Sequence, residues 1–220
     1  MKIAIIGAGI GGLTAGALLS EKGHDVSIYE KSSPDSNQKR GGSLDIHEES
    51  GQLALKEADI FERFQALARV EGEDTRVLGK DGTVYFEEIG QGTGDRPEID
   101  RGKLCDIIIE KLQENTIQYG YTYQSLTELD NGKVTLQFLE DEVQQFDMVV
   151  GADGAFSKVR NDVAHVDVTY NDISMIELNI DDVVNKHPDL AQINSNGSLV
   201  ALGDYKDILG QFTGNGRIKV

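Results

Sequence analysis

Lys2-Ile3-Ala4-Ile5-Ile6-Gly7-Ala8-Gly9-Ile10-Gly11-Gly12 is the stretch on which the reading of this 220-residue chain turns. Apolar residues fill successive positions and then stop at a glycine. So short a run suits a strand buried on both faces, as in a parallel sheet. The glycines follow the pattern G-x-G-x-x-G and precede a helix of small residues, expected over about residues 10–22 with Gly23 as its terminator. Each glycine answers a steric need. Gly7 permits the tight turn, Gly9 lets a pyrophosphate approach the backbone, and Gly12 lets the helix pack close to the strand. The helix start then offers unpaired N–H groups and a partial positive charge to phosphate.

A second strand is expected at Asp25–Glu30, where Val26, Ile28 and Tyr29 are apolar. Strand, helix and strand together match a βαβ unit of about 30 residues. Glu30 closes it roughly twenty residues after the glycines, the spacing at which a carboxylate meets both hydroxyls of an adenosine ribose. A carboxylate there also repels a 2′-phosphate and so disfavours NADP. The competing reading of Glu30 is a solvated strand end, and this first motif by itself suits NAD as well as FAD.

Residues 31–42, with Ser32, Ser33, Pro34, Asp35, Ser36 and Asn37, read as a loop. Residues 50–68 read as helix with a break near Asp59, and Val77-Leu78 and Thr83-Val84-Tyr85-Phe86 as a hairpin around Gly79-Lys80-Asp81-Gly82. Gly90, Gly92 and Gly94 mark a loop. Leu104, Ile107, Ile108 and Leu112 keep helical spacing, Asn131-Gly132 marks a hairpin turn, and residues 146–150 form a strand ending at Gly151. From about Val166 strand-like pieces dominate, at residues 173–180, 199–202, 208–212 and 217–220. The expectation is an α/β fold: a Rossmann-type domain with a mixed or parallel sheet over residues 1–165, then the start of a β-rich substrate domain over residues 166–220. The chain stops inside a strand-like run, which would leave an open sheet edge; either that edge is covered elsewhere or the chain is a fragment of something longer.

With 39 % hydrophobic residues the chain can bury a sizeable core. Its 38 acidic against 21 basic residues, a formal charge of −17, would repel phosphate backbones and anionic membranes, so neither nucleic acid nor membrane is an expected partner. No apolar run reaches transmembrane length, and the first strand is too short for a signal-peptide core, so a cytoplasmic protein is expected. The one cysteine, Cys105, excludes an internal disulfide and a cysteine zinc site, and no metal site is expected. Cys105 falls in a periodic apolar stretch and reads as a buried thiol.

Gly151-Ala152-Asp153-Gly154-Ala155-Phe156-Ser157-Lys158-Val159-Arg160 follows a buried strand, and on residues alone it is a turn in which Ser157 caps a helix running to about Val163. Taken with Gly7, Gly9, Gly12 and Glu30, this segment resembles the class A flavoprotein monooxygenases. Gly41-Gly42-Ser43-Leu44-Asp45-Ile46-His47, Ser50-Gly51-Gln52 and Pro97-Glu98-Ile99-Asp100-Arg101 are similar to the tetracycline-inactivating branch. The resemblance implies FAD as cofactor, NAD(P)H as transient reductant, and O₂-dependent hydroxylation of a small, aromatic or polycyclic substrate. It places Lys31 near the adenosine, Asp45 by the flavin, Arg101 on FAD and Asp153 in the FAD site. Arg101 reads equally well as a surface charge at a helix start. Glu177, Ser198 and Lys219 fall at the branch's substrate-contacting positions, although their residue types differ from those of the tetracycline enzymes. His47 reads as a loop histidine, and no catalytic residue is assigned. The family's later Gly-Asp motif has no counterpart, since Gly203-Asp204 runs into Tyr205-Lys206-Asp207 without a Pro- and Gly-rich turn. A chain that ends there is expected to bind FAD weakly and to turn over poorly. Two other readings stay open: a non-catalytic nucleotide-binding module or half of a split protein, and an NAD-linked dehydrogenase.

Overall fold

The computed structural model describes the chain except for residues 35–40, 91, 93, 140–142 and 165. Part of the 31–42 loop, including Asp35, Ser36 and Asn37, therefore lies outside the described residues. The backbone falls into two compact units. The first comprises Met1–Arg40, Ala54–Phe61 and Leu104–Asn171, and the second Gly41–Leu53, Glu62–Lys103 and Asp172–Val220. This interleaving differs from a linear division after residue 165. The reason is a long-range pairing: Thr75–Gly79 runs parallel to Ser198–Leu202, from Ser198 opposite Thr75 to Leu202 opposite Gly79. Local periodicity carries no information about such a partner.

The first unit is built on a four-stranded parallel sheet in the order Met148–Gly151, Lys2–Ile6, Asp25–Glu30, Ile117–Tyr119. Ile3, Ala4, Ile5 and Ile28 are fully buried, which explains why these strands read as continuous apolar runs. The helix Ile10–Glu21 buries Gly12, Leu13, Gly16 and Ala17. A side chain at Gly16 would meet Ile28 Cδ1 at 2.6 Å, so small residues set the distance between helix and sheet. Gly23, with φ +80°, ends the helix as expected. A three-stranded antiparallel sheet, Val143–Phe146, Val134–Phe138 and Tyr123–Glu128, adds Phe138 and Phe146 to a ring cluster with Tyr29 and Tyr121. The expected strand over 146–150 is in fact two strands in two sheets. They part at Asp147, whose N–H donates to the Lys2 carbonyl at 2.8 Å while its carboxylate accepts from the Lys2 N–H at 2.7 Å.

The second unit carries a six-stranded sheet in the order Asn179–Ile180, Ile218–Lys219, Asp207–Phe212, Ser198–Leu202, Thr75–Gly79, Val84–Glu88. A two-stranded ribbon, Ser43–Asp45 against Glu98–Asp100, stands beside it in sequence register Ser43–Asp100, Leu44–Ile99, Asp45–Glu98. Of the strand expected over 173–180 only Asn179–Ile180 forms, and Ile173, Met175, Ile176 and Leu178 are exposed. Two short helices, Val183–Lys186 and Pro188–Asn194, interrupt what read as mostly β. The helical stretch 50–68 starts as a π-turn at Glu48–Gln52 and breaks at Asp59, where φ is +55°. Helix Arg101–Ile109 ends three residues before Leu112, and Cys105 within it is buried.

Candidate cofactor site

The first unit brings Gly7, Gly9, Gly12, Glu30 and Asp153 to the carboxyl ends of adjacent parallel strands, where open α/β sheets bind ligands. Gly7 has φ +107°, and a side chain on it would lie 2.5 Å from the Ala152 carbonyl oxygen. One on Gly12 would lie 2.0 Å from the Gly7 carbonyl oxygen. These two glycines are required by the protein's own backbone. Gly9 is different: its φ of −76° and ψ of 174° suit any residue, and nothing stands within 4 Å of where its Cβ would be. The same space is open at Gly11. Nothing in the fold asks for glycine at Gly9, but a pyrophosphate seated against the backbone does. The helix that starts here has no side-chain cap and no acidic residue in its first turn, so its N–H groups and partial positive charge can receive an anion.

Glu30 turns toward this bend. Its Oε2 accepts from the Ala8 N–H at 2.8 Å and its Oε1 from the Ser32 N–H at 2.9 Å, in a side chain that is 4 % exposed. The alternative of a solvated strand end is therefore excluded. A carboxylate has room for about four donors, so one group can both brace the turn and receive a ribose. Lys31 follows, exposed, at the end of the same strand.

Asp153 does two jobs in its own loop. Oδ1 accepts from the Ser157 hydroxyl at 2.6 Å, and Oδ2 accepts from the N–H groups of Lys158 and Val159 at 2.7 and 3.4 Å. Ser157 Oγ in turn accepts the Arg160 N–H at 3.0 Å, the cap expected from sequence. The carboxylate thus shapes the turn that packs against Gly7. Asp153→Ala is expected to lower stability by about 1–2 kcal/mol, as loss of a helix-start cap does, and Asp153→Asn by less. Urea denaturation of the two variants checks this.

Asp45 and Arg101 belong to the second unit. Asp45 is exposed at the end of its ribbon strand, and Arg101 begins a helix, its N–H donating to the Gly42 carbonyl at 3.0 Å. Among the described residues, Arg101 Nε is buried without a hydrogen-bond partner. A buried guanidinium donor left in this way suits an anionic or polar ligand better than a surface charge.

Glu177, Ser198 and Lys219 line one cavity of about 460 Å³, together with Met175, Leu199 and Leu209. Lys219 Nζ lies 2.8 Å from Glu177 Oε2. Sequence reasoning missed the cluster behind the ribbon, where Arg69 Nη2 donates to Ser43 Oγ at 3.0 Å, Glu98 Oε2 at 2.9 Å and the Phe212 carbonyl at 3.1 Å. Its residues are scattered along the chain in no periodic pattern. The one available signal was an acidic residue, Glu98, between Pro97 and Ile99 at the start of a short strand.

The profile of one family, described as FAD binding domain, matches residues 1–203. The chain belongs to the FAD binding domain family. Among curated relatives, the monooxygenase asqM of Emericella nidulans is 29% identical over 236 residues, covering 100% of this chain and 53% of the relative. Monooxygenase penA of Penicillium thymicola is also 29% identical, over 232 residues and the same shares. The chain thus spans about half the length of the curated relatives it matches. Solved structures share the fold. The tetracycline destructase Tet(51) superposes with a TM-score of 0.69 at 24% identity, over 99% of this chain and 54% of that one. CtdE in complex with FAD gives 0.77 at 19% identity, over 99% and 57%. The resemblance drawn from the glycine and Asp-Gly motifs is borne out, as is FAD as the cofactor of the family.

Proposed function

We propose that this chain is the FAD-binding part of a flavin-dependent monooxygenase. The observation that carries the reading is the bare backbone at Gly9, set before an uncapped helix start with the Glu30 carboxylate braced beside it. In this reading the glycine bend and helix hold the pyrophosphate, Glu30 the adenosine ribose and Lys31 the surroundings of the adenine. Asp45, Arg101 and Asp153 are assigned to the same cofactor, Arg101 through its unpartnered Nε. FAD, reduced by NAD(P)H, supplies the O₂-dependent oxidation that side chains cannot perform. Glu177, Ser198 and Lys219 are the proposed substrate contacts. Their cavity of about 460 Å³, apolar with a charged pair at one side, suits a small aromatic or polycyclic molecule. The substrate need not be tetracycline, because the residue types at these positions differ from those of that branch. Among the described residues no helix is long and apolar enough to cross a membrane, and a cytoplasmic location goes with the single buried cysteine.

The test is reconstitution. The chain, titrated with FAD, is expected to perturb the flavin spectrum and to quench flavin fluorescence. NADH titrated in parallel is expected to bind more weakly. Tighter binding of NADH than of FAD would support a dehydrogenase instead, and no flavin bound at high micromolar cofactor would remove the reading.

A further inference from the structure

The ribbon that carries both second-unit cofactor candidates is keyed by a buried carboxyl group that the reading above does not use. Asp45 lies on one strand, and the other runs Glu98-Ile99-Asp100 directly into Arg101. Glu98 is 0% exposed. Its backbone exchanges hydrogen bonds with Arg69, N–H to carbonyl at 3.0 Å and carbonyl to N–H at 2.7 Å. Its Oε2 receives the Arg69 guanidinium at 2.9 Å, while Oε1, also buried, has no hydrogen-bond partner among the described residues. Across the ribbon, in register, stands Asp45. Two carboxylates directly opposite each other repel, and an ionised oxygen with no donor is costly to bury. One proton removes both faults.

We propose that Glu98 is held as a neutral carboxylic acid whose Oε2 accepts from Arg69 and whose Oε1 donates its proton to the Asp45 carboxylate, making it the residue that positions Asp45 and Arg101. The inference rests on the reading that these two residues serve the cofactor. The charged groups facing Glu98 are Arg69, Asp45 and, beyond Arg69 at 3.9 Å, Asp100, with the Ser43 hydroxyl beside them. Burial pushes the Glu98 carboxyl from 4.5 up to about 7; the Ser43 hydrogen bond and the Arg69 charge pull it down, and the Asp45 charge pushes it up again. The proton is thus present in the lower part of the neutral range and lost above it. When it leaves, Asp45 and Glu98 repel and the ribbon loses its key.

The experiment compares wild type with Glu98→Gln, Glu98→Leu and the control His47→Gln. Glutamine imitates the neutral acid: a carbonyl for Arg69 and an N–H for Asp45. Wild-type FAD affinity, read by fluorescence titration, is expected to fall about tenfold from pH 6 to pH 8.5, as for a binding-competent state that loses population. Glu98→Gln should keep the affinity seen at low pH across the range. Glu98→Leu should bind weakly throughout, and His47→Gln should follow wild type. Infrared spectra of the apoprotein should show a protonated-carboxyl stretch at pH 6 that fades by pH 8.5 and is missing in Glu98→Gln. A Glu98→Gln profile that falls like wild type overturns the proposal, and so does the absence of that infrared band. If wild type shows the band yet binds no FAD at any pH, the proton on Glu98 stands and the flavin reading fails.

Discussion

Gly12→Ala is expected to cost the protein its fold, and Gly9→Ala only its cofactor. A methyl group at position 12 would lie 2.0 Å from the Gly7 carbonyl oxygen and 3.2 Å from Ala152 Cβ. The nearer obstacle is backbone, so no rotamer change relieves it, and the helix must move away from the sheet it covers. Overpacking of this kind costs upwards of about 3 kcal/mol, a large share of the roughly 5–15 kcal/mol that holds a domain together. At Gly9 the backbone is already extended and the space ahead is empty. Gly9→Ala should therefore melt within a few degrees of wild type, with a stability change of about 1 kcal/mol or less. It should nevertheless weaken FAD by about 100-fold, close to 2.7 kcal/mol, because the methyl group would occupy the place proposed for the pyrophosphate. Thermal melts and flavin fluorescence titration on the same preparations separate the two effects. Gly9→Ala binding FAD as tightly as wild type would show that the hollow holds no phosphate.

The contrast between these glycines marks what a sequence can disclose. The pattern G-x-G-x-x-G identified all three positions, because strand, turn and helix there are neighbours along the chain. The bounds Lys2–Ile6 and Asp25–Glu30 were legible for the same reason: strands buried on both faces leave unbroken apolar runs. Asp153 stood out in the sequence through its motif, while its local task, gathering Ser157, Lys158 and Val159, appears only in coordinates. Asp147 hid a change of sheet inside one apolar run, since a hydrogen bond to the start of the chain has no local signature. In the second unit the sheet depends on a partner more than a hundred residues away, as Arg76 opposite Leu199 illustrates. Residues 173–178 have strand composition, yet only Asn179–Ile180 pairs as a strand, and Ile173, Met175, Ile176 and Leu178 stay exposed. β propensity reports fit to a half-buried surface, and it predicts little where no such surface is supplied.

The same distinction separates the two kinds of acidic residue in the candidate site. Glu30 and Glu98 are both buried carboxyl groups at strand positions, but their surroundings differ in donors. Glu30 meets two backbone N–H groups, which favour a charged acceptor. Glu98 meets one guanidinium on one oxygen and has a second acidic residue in register across the ribbon, which favours a neutral acid. For Glu98 the linkage to stability follows from its raised affinity for the proton. The folded state holds that proton more tightly than the unfolded chain does, so the contribution is complete below about pH 4.5 and is lost as pH rises through about 7. Glu98→Gln should flatten the stability curve between those limits, by an amount on the order of 1–3 kcal/mol at the alkaline end. Chemical denaturation at stepped pH measures it.

Glu30→Ala is expected to damage stability and nucleotide binding together, and the two losses can be told apart. Removing the carboxylate leaves the Ala8 N–H, in a residue that is 0% exposed, without the acceptor it has at 2.8 Å. An orphaned buried donor costs about 1–3 kcal/mol. Glu30→Gln retains one acceptor, but its amide group turns a donor toward either Ala8 N–H or Ser32 N–H, so it should recover only part of that loss. Both variants should weaken FAD by about 100-fold, since charge-assisted hydrogen bonds to two ribose hydroxyls contribute roughly 1.5–3 kcal/mol each way. A structural fault in the turn would also weaken binding, so the sugar itself must be varied. Wild type is expected to prefer ADP to 2′-deoxy-ADP by about tenfold, the worth of one hydroxyl held by a carboxylate. In Glu30→Ala that preference should vanish, because neither nucleotide then has a partner at that position. Isothermal titration of both nucleotides with both proteins completes the cycle. A preference that survives in Glu30→Ala would place the ribose elsewhere and reduce Glu30 to a brace for the Gly7–Gly9 bend.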